Sequence, residues 1–293
     1  MNLFMTVLEI VAPVFLLALV GFSWVKLGFE YRVEFVTRLA MTLAVPCLMF
    51  TALMKTEVDP SALSTLFFAS LIAYAIIAAL GAFGFWLFKF EQKTYLAPFV
   101  FGNTGNLGLP LALFAFGAEG LGYAMVVFAV MAVLSFTFGI WVVSGGGNFL
   151  KALKEPLVGA TLLGAVFLWQ GWQTPTFLTN ALELVGQMAI PMMLITLGVA
   201  VARLTPMHIG QAIILSIIKV VLCAGIAFGV SEFLGLNEIA RAVLVVQIAT
   251  PVAVTSYLLS EKYGGDSDAV AGLVVVSTVM SVAAIPLLLA FLL

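Results

Sequence analysis

Ten apolar runs follow one another along the chain, and that succession limits what it can fold into. They cover residues 4–25, 35–54, 62–88, 94–117, 120–143, 156–172, 177–202, 208–233, 239–260 and 268–292. Each is near the length of about 20 residues that a helix needs to cross a bilayer. Only short charged or turn-forming segments separate them. With 63% hydrophobic and 9% charged residues, the chain has too little polar surface to face water. The sequence predicts an all-α integral membrane protein. The first run, from Phe4 to Gly28, is too long for a signal-peptide core and lacks a basic region before it, so it reads as the first membrane helix.

Several function classes fall away on composition. A formal net charge of −2 argues against nucleic-acid binding. The only histidine is His208, and Cys47 and Cys223 both sit inside apolar runs. A zinc site, a disulfide framework and a Ser/His or Cys/His nucleophile are therefore not expected. No cofactor or metal is expected, and no acid pair occupies the predicted midplane, so the chain does not read as an enzyme.

Basic residues give an orientation. Lys26, Arg32 and Arg38 flank the first loop, Lys89 and Lys93 the third, and Lys151 and Lys154 the fifth. Arg203 flanks the seventh and Lys262 the ninth, while the even loops hold only Lys55 and Arg241. By the positive-inside rule the odd loops are cytoplasmic and both termini periplasmic, in a cell inner (cytoplasmic) membrane.

The two halves of the chain look alike. Ser144-Gly145-Gly146-Gly147-Asn148 opens a linker at 144–155 between residues 1–143 and 156–293. PVFLLALVG (Pro13 to Gly21) is echoed by PLVGATLLG (Pro156 to Gly164) at an offset of 143. AVPCLMFT around Pro46 is echoed by AIPMMLIT around Pro191 at an offset of 145, and Pro110 by Pro251 at 141. Five spans per half force the second copy to insert upside down. The expectation is two inverted five-helix repeats, an arrangement common in secondary transporters.

The fourth run carries Gly102-Asn103-Thr104-Gly105-Asn106-Leu107-Gly108-Leu109-Pro110. Glycine costs a helix roughly 1 kcal/mol relative to alanine and proline about 3. Two amides and a hydroxyl add polar atoms that lipid cannot satisfy. A close helix-packing face explains the glycines but not Asn103 and Asn106 beside a proline. The ninth run carries Gln247-Ile248-Ala249-Thr250-Pro251, where Thr-Pro reads as an N-cap and first helical residue. Helices 4 and 9 are expected to break there and restart at Pro110 and Pro251. Opposite orientation then aims both restarted N-termini at the midplane, a setting suited to an anion such as a carboxylate. Asn103, Thr104, Asn106 and Gln247, with Thr250, would hydrogen-bond it.

Lys219 lies mid-span in IILSIIKVVLC, too deep for its side chain to reach either surface. It reads as a functional charge or a buried structural one. A tethered ammonium there would make sodium unnecessary or would attract the anion directly. Glu9 and Glu183, nearer the outer ends, read as interfacial carboxylates. Met41, Met49, Met54, Met188, Met192 and Met193 read as packing, or as the wall of an adaptable pocket.

GNTGNLGLP in the fourth run and QIATPVAVTSYLLSEKYGGD closing the ninth resemble the auxin efflux carrier family. That family belongs to the bile acid/auxin transporter superfamily and includes plant auxin exporters and bacterial malonate- or malate-permease-like proteins. The likeness runs along nearly the whole chain, including Pro13, Pro46 and Pro191. It implies ten helices with broken, crossing helices 4 and 9. It also implies a scaffold of helices 1, 2, 6 and 7, a moving domain of helices 3–5 and 8–10, elevator-type alternating access and often a homodimer. The short central loop departs from the long hydrophilic loop of plant members. The function expected is secondary transport of a small organic anion. An anion-sensing receptor or a channel is the alternative.

Overall fold

The computed structural model describes residues 3–55, 58–144 and 156–293. The linker after Ser144, with Lys151 and Lys154, lies outside the described residues. Among the described residues all regular structure is helical, apart from one antiparallel bridge between Gly102 and Val252. Among the described residues, seven helices are long and apolar enough to cross a membrane. Phe233, Trp169 and Phe177 are 88%, 77% and 77% exposed, which suits a lipid-facing surface and not a watery one. The chain is a multi-pass membrane protein.

In the first half, α1 (Leu3–Lys26) is followed by α2 (Val33–Leu39) and α3 (Val45–Lys55), joined through a π turn at Ala40–Ala44. The π turn has a local cause. Pro46 has no N–H, and Val45 N–H bonds the Ala40 carbonyl five residues back, widening the ring just ahead of the proline. α4 (Pro60–Leu87) starts on Asp59, whose carboxylate accepts from Ser61 N at 2.8 Å. Then come α5 (Gln92–Val100), a π turn at Thr104–Gly108, and α6 (Leu109–Leu134). A π turn at Ser135–Gly139 leads into α7 (Ile140–Ser144). The segment Thr104–Ser144 is 41 residues long, about twice the span of a bilayer core. Gly117, at φ 63° and ψ −152°, breaks its helical geometry at a kink.

The second half has α8 (Pro156–Gln170), α9 (Thr176–Gln187) and α10 (Ala189–Arg203). Pro191, in the first turn of α10, accounts for the interruption at Met188. α11 (Ile209–Phe233), α12 (Glu238–Ile248), α13 (Val254–Tyr263) and α14 (Ser267–Leu292) complete the chain.

Two pairs of helices pack at glycines in matching ways. α1 meets α10 so closely that a Cβ on Gly21 would lie 1.9 Å from the Ile195 carbonyl oxygen, and one on Gly198 would lie 1.7 Å from that of Ala18. α8 meets α3 at Gly164, whose Cβ position is 3.0 Å from Leu53 Cβ and 3.4 Å from Phe50 Cα. Gly164 is the echo of Gly21 at offset 143, and Ile195 the echo of Phe50 at offset 145. Close approach of this kind maximises dispersion contact where lipid offers no hydrophobic drive.

Candidate functional site: two interrupted helices that meet

α5 ends at Val100, and Phe101 and Asn103 leave helical geometry (φ −96°, ψ 114° and φ −83°, ψ 54°). Helical bonding resumes at Thr104, not at Pro110. The correction has a physical reason. Gly108 N–H bonds the Asn103 carbonyl and Leu109 N–H that of Thr104, both five residues back. This wider ring admits Pro110 without a new helix start, as the turn before Pro46 does. Asn103 is the cap of the resumed helix, with Oδ1 accepting from Asn106 N at 3.2 Å.

The second interruption follows Ile248. Pro251 biases Thr250 away from helix, and the chain stays irregular to Ala253, with α13 starting at Val254. The restart is therefore three residues beyond Pro251, not at it. Thr250 does not cap α13; its hydroxyl donates back to the Gln247 carbonyl at 2.6 Å. α13 has Ala253 at its N-cap and no side-chain cap. Pro110 and Pro251 are thus not equivalent. Pro110 lies inside a helix, while Pro251 lies in the break.

The two breaks touch. Asn103 N–H donates to the Pro251 carbonyl at 2.7 Å beside the Gly102–Val252 bridge. Ser277 Oγ on α14 accepts from Val252 N at 3.0 Å. Glycine is needed at two of these contacts. A Cβ at Gly102 would lie 2.3 Å from Thr250 Oγ1, and one at Gly108 would lie 2.2 Å from Gln247 Oε1. Met193 of α10 also reaches the junction, its Cε 3.1 Å from the Cβ position of Gly105.

Asn103, Thr104, Gln247 and Thr250 are all buried, at 4%, 0%, 0% and 0% exposure. Pro110 and Pro251 are buried as well, and Asn106 is partly exposed. Four polar atoms of this group have no protein partner: Asn103 Nδ2, Thr104 Oγ1, and Gln247 Oε1 and Nε2. Leaving a buried polar group unpaired costs about 1–3 kcal/mol, and all four atoms belong to residues that flank the two interruptions. The arrangement offers donors from two amides and a hydroxyl, in a setting sealed from bulk water.

Lys219 is 1% exposed, and its Nζ donates to the Phe99 carbonyl at 2.7 Å. That carbonyl is in the last turn of α5, where helix carbonyls lack partners and the dipole is negative. Lys219, Ser216, Phe99 and Val252 line one small cavity, so the Lys219 side chain and the second break border the same space.

Glu183 pairs with Lys55. Both line a cleft of about 740 Å³, which Thr51, Gln187, Glu119 and Tyr123 also line. The Ser277 support, the Phe99 carbonyl and this cleft depend on contacts between distant segments. Their residue types carry no local pattern that marks them.

A profile of the family described as "Membrane transport protein" matches residues 6–148 and 140–289. An uncharacterized transporter of Methanocaldococcus jannaschii is 25% identical, covering 96% of this chain and 97% of its own length. An uncharacterized transporter of Methanothermobacter thermautotrophicus is 26% identical, covering 97% and 98%. The chain belongs to this auxin efflux carrier-like family of membrane transport proteins.

Proposed function

We propose that the protein is a secondary carrier of a small organic anion, bound at the crossing by Asn103, Thr104, Asn106 and Gln247. The observation that carries this reading is the set of unpartnered polar atoms on Asn103, Thr104 and Gln247, gathered where two interrupted helices meet. A carboxylate accepts hydrogen bonds from amide and hydroxyl donors. The uncapped N-terminus of α13 and the start at Thr104 add dipole support. Thr250, Pro110 and Pro251 shape the backbone around the site.

Ten spans fit the described helices once Thr104–Ser144 is divided at Gly117, α5 is joined to the segment after it, and α12 is joined to α13. The matching Gly21–Ile195 and Gly164–Phe50 contacts support two inverted repeats, residues 1–143 and 156–293. Helices 1, 2, 6 and 7 form the static body in this reading. Helices 3–5 and 8–10 form the moving body, which carries the crossing across the membrane as an elevator. The protein works as a homodimer in the inner membrane with periplasmic termini. Lys219 supplies a fixed cation beside the crossing, so transport needs no sodium.

Reconstituted protein tests this. Saturable uptake of [14C]malonate or [14C]benzoate, with counterflow and without sodium, is the expected result. Flux that is linear in concentration and shows no counterflow points to a channel. Binding without flux points to a receptor.

A further inference from the structure

We infer that a slot between α4, α6 and α8 is a binding site for one phospholipid acyl chain, held from a single leaflet of the bilayer. The slot has a volume of about 450 Å³. Small-molecule sites span about 300–1,000 Å³. Leu63, Phe67 and Leu71 of α4, Val130 of α6, Leu168 of α8 and Leu53 of α3 supply its walls. Among the described residues that line it, Ser64 and Thr161 alone have polar side chains. The Ser64 hydroxyl donates to the Ser61 carbonyl of its own helix at 2.8 Å. Water needs about two to four polar partners to stay in such a space. Hydrocarbon needs none, and it recovers the dispersion contacts that an empty slot forfeits.

Position and shape select a lipid chain. Phe67 and Leu162 border the slot and are exposed, so it opens on the lipid-facing surface. Charged residues mark the end nearer water: Lys55 is two residues beyond Leu53, and Asp59 is four before Leu63. From the start of α4 the lining runs inward to Leu71, eleven residues or roughly 17 Å. From the end of α8 it runs inward to Thr161, nine residues or roughly 14 Å. Both depths are close to half of a hydrocarbon core about 30 Å thick. The slot extends roughly 12 Å along α4 from Leu63 to Leu71, which leaves it about 7 Å wide. A helix with its side chains is about 10–12 Å across, so a helix of a second copy does not fit. In the alternating-access reading, α3 and α8 belong to the static body and α4 and α6 to the moving one, so the bound chain fills the seam between them. Binding of the chain does not depend on that reading.

Photolabelling of delipidated protein in detergent tests this. The probe is a phosphatidylcholine with a diazirine at the end of one acyl chain, titrated against the protein, with adducts mapped by mass spectrometry. Adducts at 63–71 and 161–168 should appear first and level off once each chain holds a single probe. Adducts at Phe291, which is exposed on α14, should keep rising. Slot adducts that are absent, or that rise in parallel with those at Phe291, would overturn the inference. Ala129 and Ala165 both line the slot, and Ala129→Phe combined with Ala165→Phe fills it. Slot adducts should then fall by roughly tenfold or more while those at Phe291 stay unchanged. Undiminished slot adducts in the folded double variant overturn the inference. If that variant does not fold, Ala165→Leu, at an exposed position, should still reduce the slot adducts, and no reduction overturns it as well. Slot adducts displaced by benzoate would assign the slot to the apolar part of a substrate and overturn the lipid assignment. Slot adducts indifferent to benzoate and malonate support it, whatever the crossing binds.

Discussion

Gly108 and Gln247 are in such close contact that a single added carbon on the glycine would sit 2.2 Å from Gln247 Oε1. The amide is fully buried and has no hydrogen-bond partner of its own. Gly108 thus lets a polar side chain lie against the resumed helix at the crossing. Gly108→Ala is expected to destabilise the protein by about 1–3 kcal/mol through overpacking. Gln247→Ala removes the clashing atoms, so Gly108→Ala combined with Gln247→Ala should recover most of that loss. Thermal unfolding of the four proteins in detergent measures the coupling. Additive effects would contradict the contact.

Asn106 is the partly exposed member of the amide set, which makes it the safest to alter. Losing one hydrogen bond to a charged group costs about 1.5–3 kcal/mol. Asn106→Ala should therefore weaken anion binding roughly ten- to a hundredfold while the protein still inserts and folds. Calorimetry with a ligand established on the wild type checks this. Unaltered affinity would remove Asn106 from the site.

The α1–α10 contact leaves no room at Gly198, where a Cβ would meet the Ala18 carbonyl oxygen at 1.7 Å. Gly198→Val should destabilise by more than about 3 kcal/mol or prevent folding, because backbone must move. Gly225 on α11 has nothing within 4 Å of its Cβ position. Gly225→Ala should be neutral or stabilise by up to about 1 kcal/mol through helix propensity. Yields of monodisperse protein and unfolding midpoints separate the two outcomes.

Orientation is open to direct labelling. Single cysteines introduced near Met5 and near Leu293, in a background lacking Cys47 and Cys223, should react with a membrane-impermeant maleimide from the periplasmic side. Reaction from the cytoplasmic side alone would contradict both the orientation and the role given to the basic loops.

The membrane class was legible because apolar length is a local quantity. Pro46 and Pro191 marked real distortions, a π turn before the first and an interruption before the second. The restart points were not legible. A proline signals a missing N–H, but a π turn can absorb it, as at Pro110, or it can lie in the middle of a break, as at Pro251. What decides between these is the five-residue bonding around Asn103 and Thr104, and no single residue type encodes it. Asn103, Thr104 and Gln247 stood out as polar atoms in an apolar run. Ser277 did not, because a serine on a membrane helix usually bonds its own backbone. The Glu183–Lys55 pair was not legible because the two residues lie far apart in sequence.

The central claim is that the crossing binds an organic anion, and a thermal-shift comparison of wild type with Gln247→Ala tests it most directly. The purified proteins are screened against a panel of mono- and dicarboxylates, with and without sodium. A ligand at a hundred times its Kd stabilises the folded state by about 2.7 kcal/mol. At least one carboxylate should raise the unfolding midpoint of the wild type without sodium and leave Gln247→Ala nearly unmoved. If no carboxylate shifts the wild type, or if one shifts both proteins equally, the crossing is not the anion site.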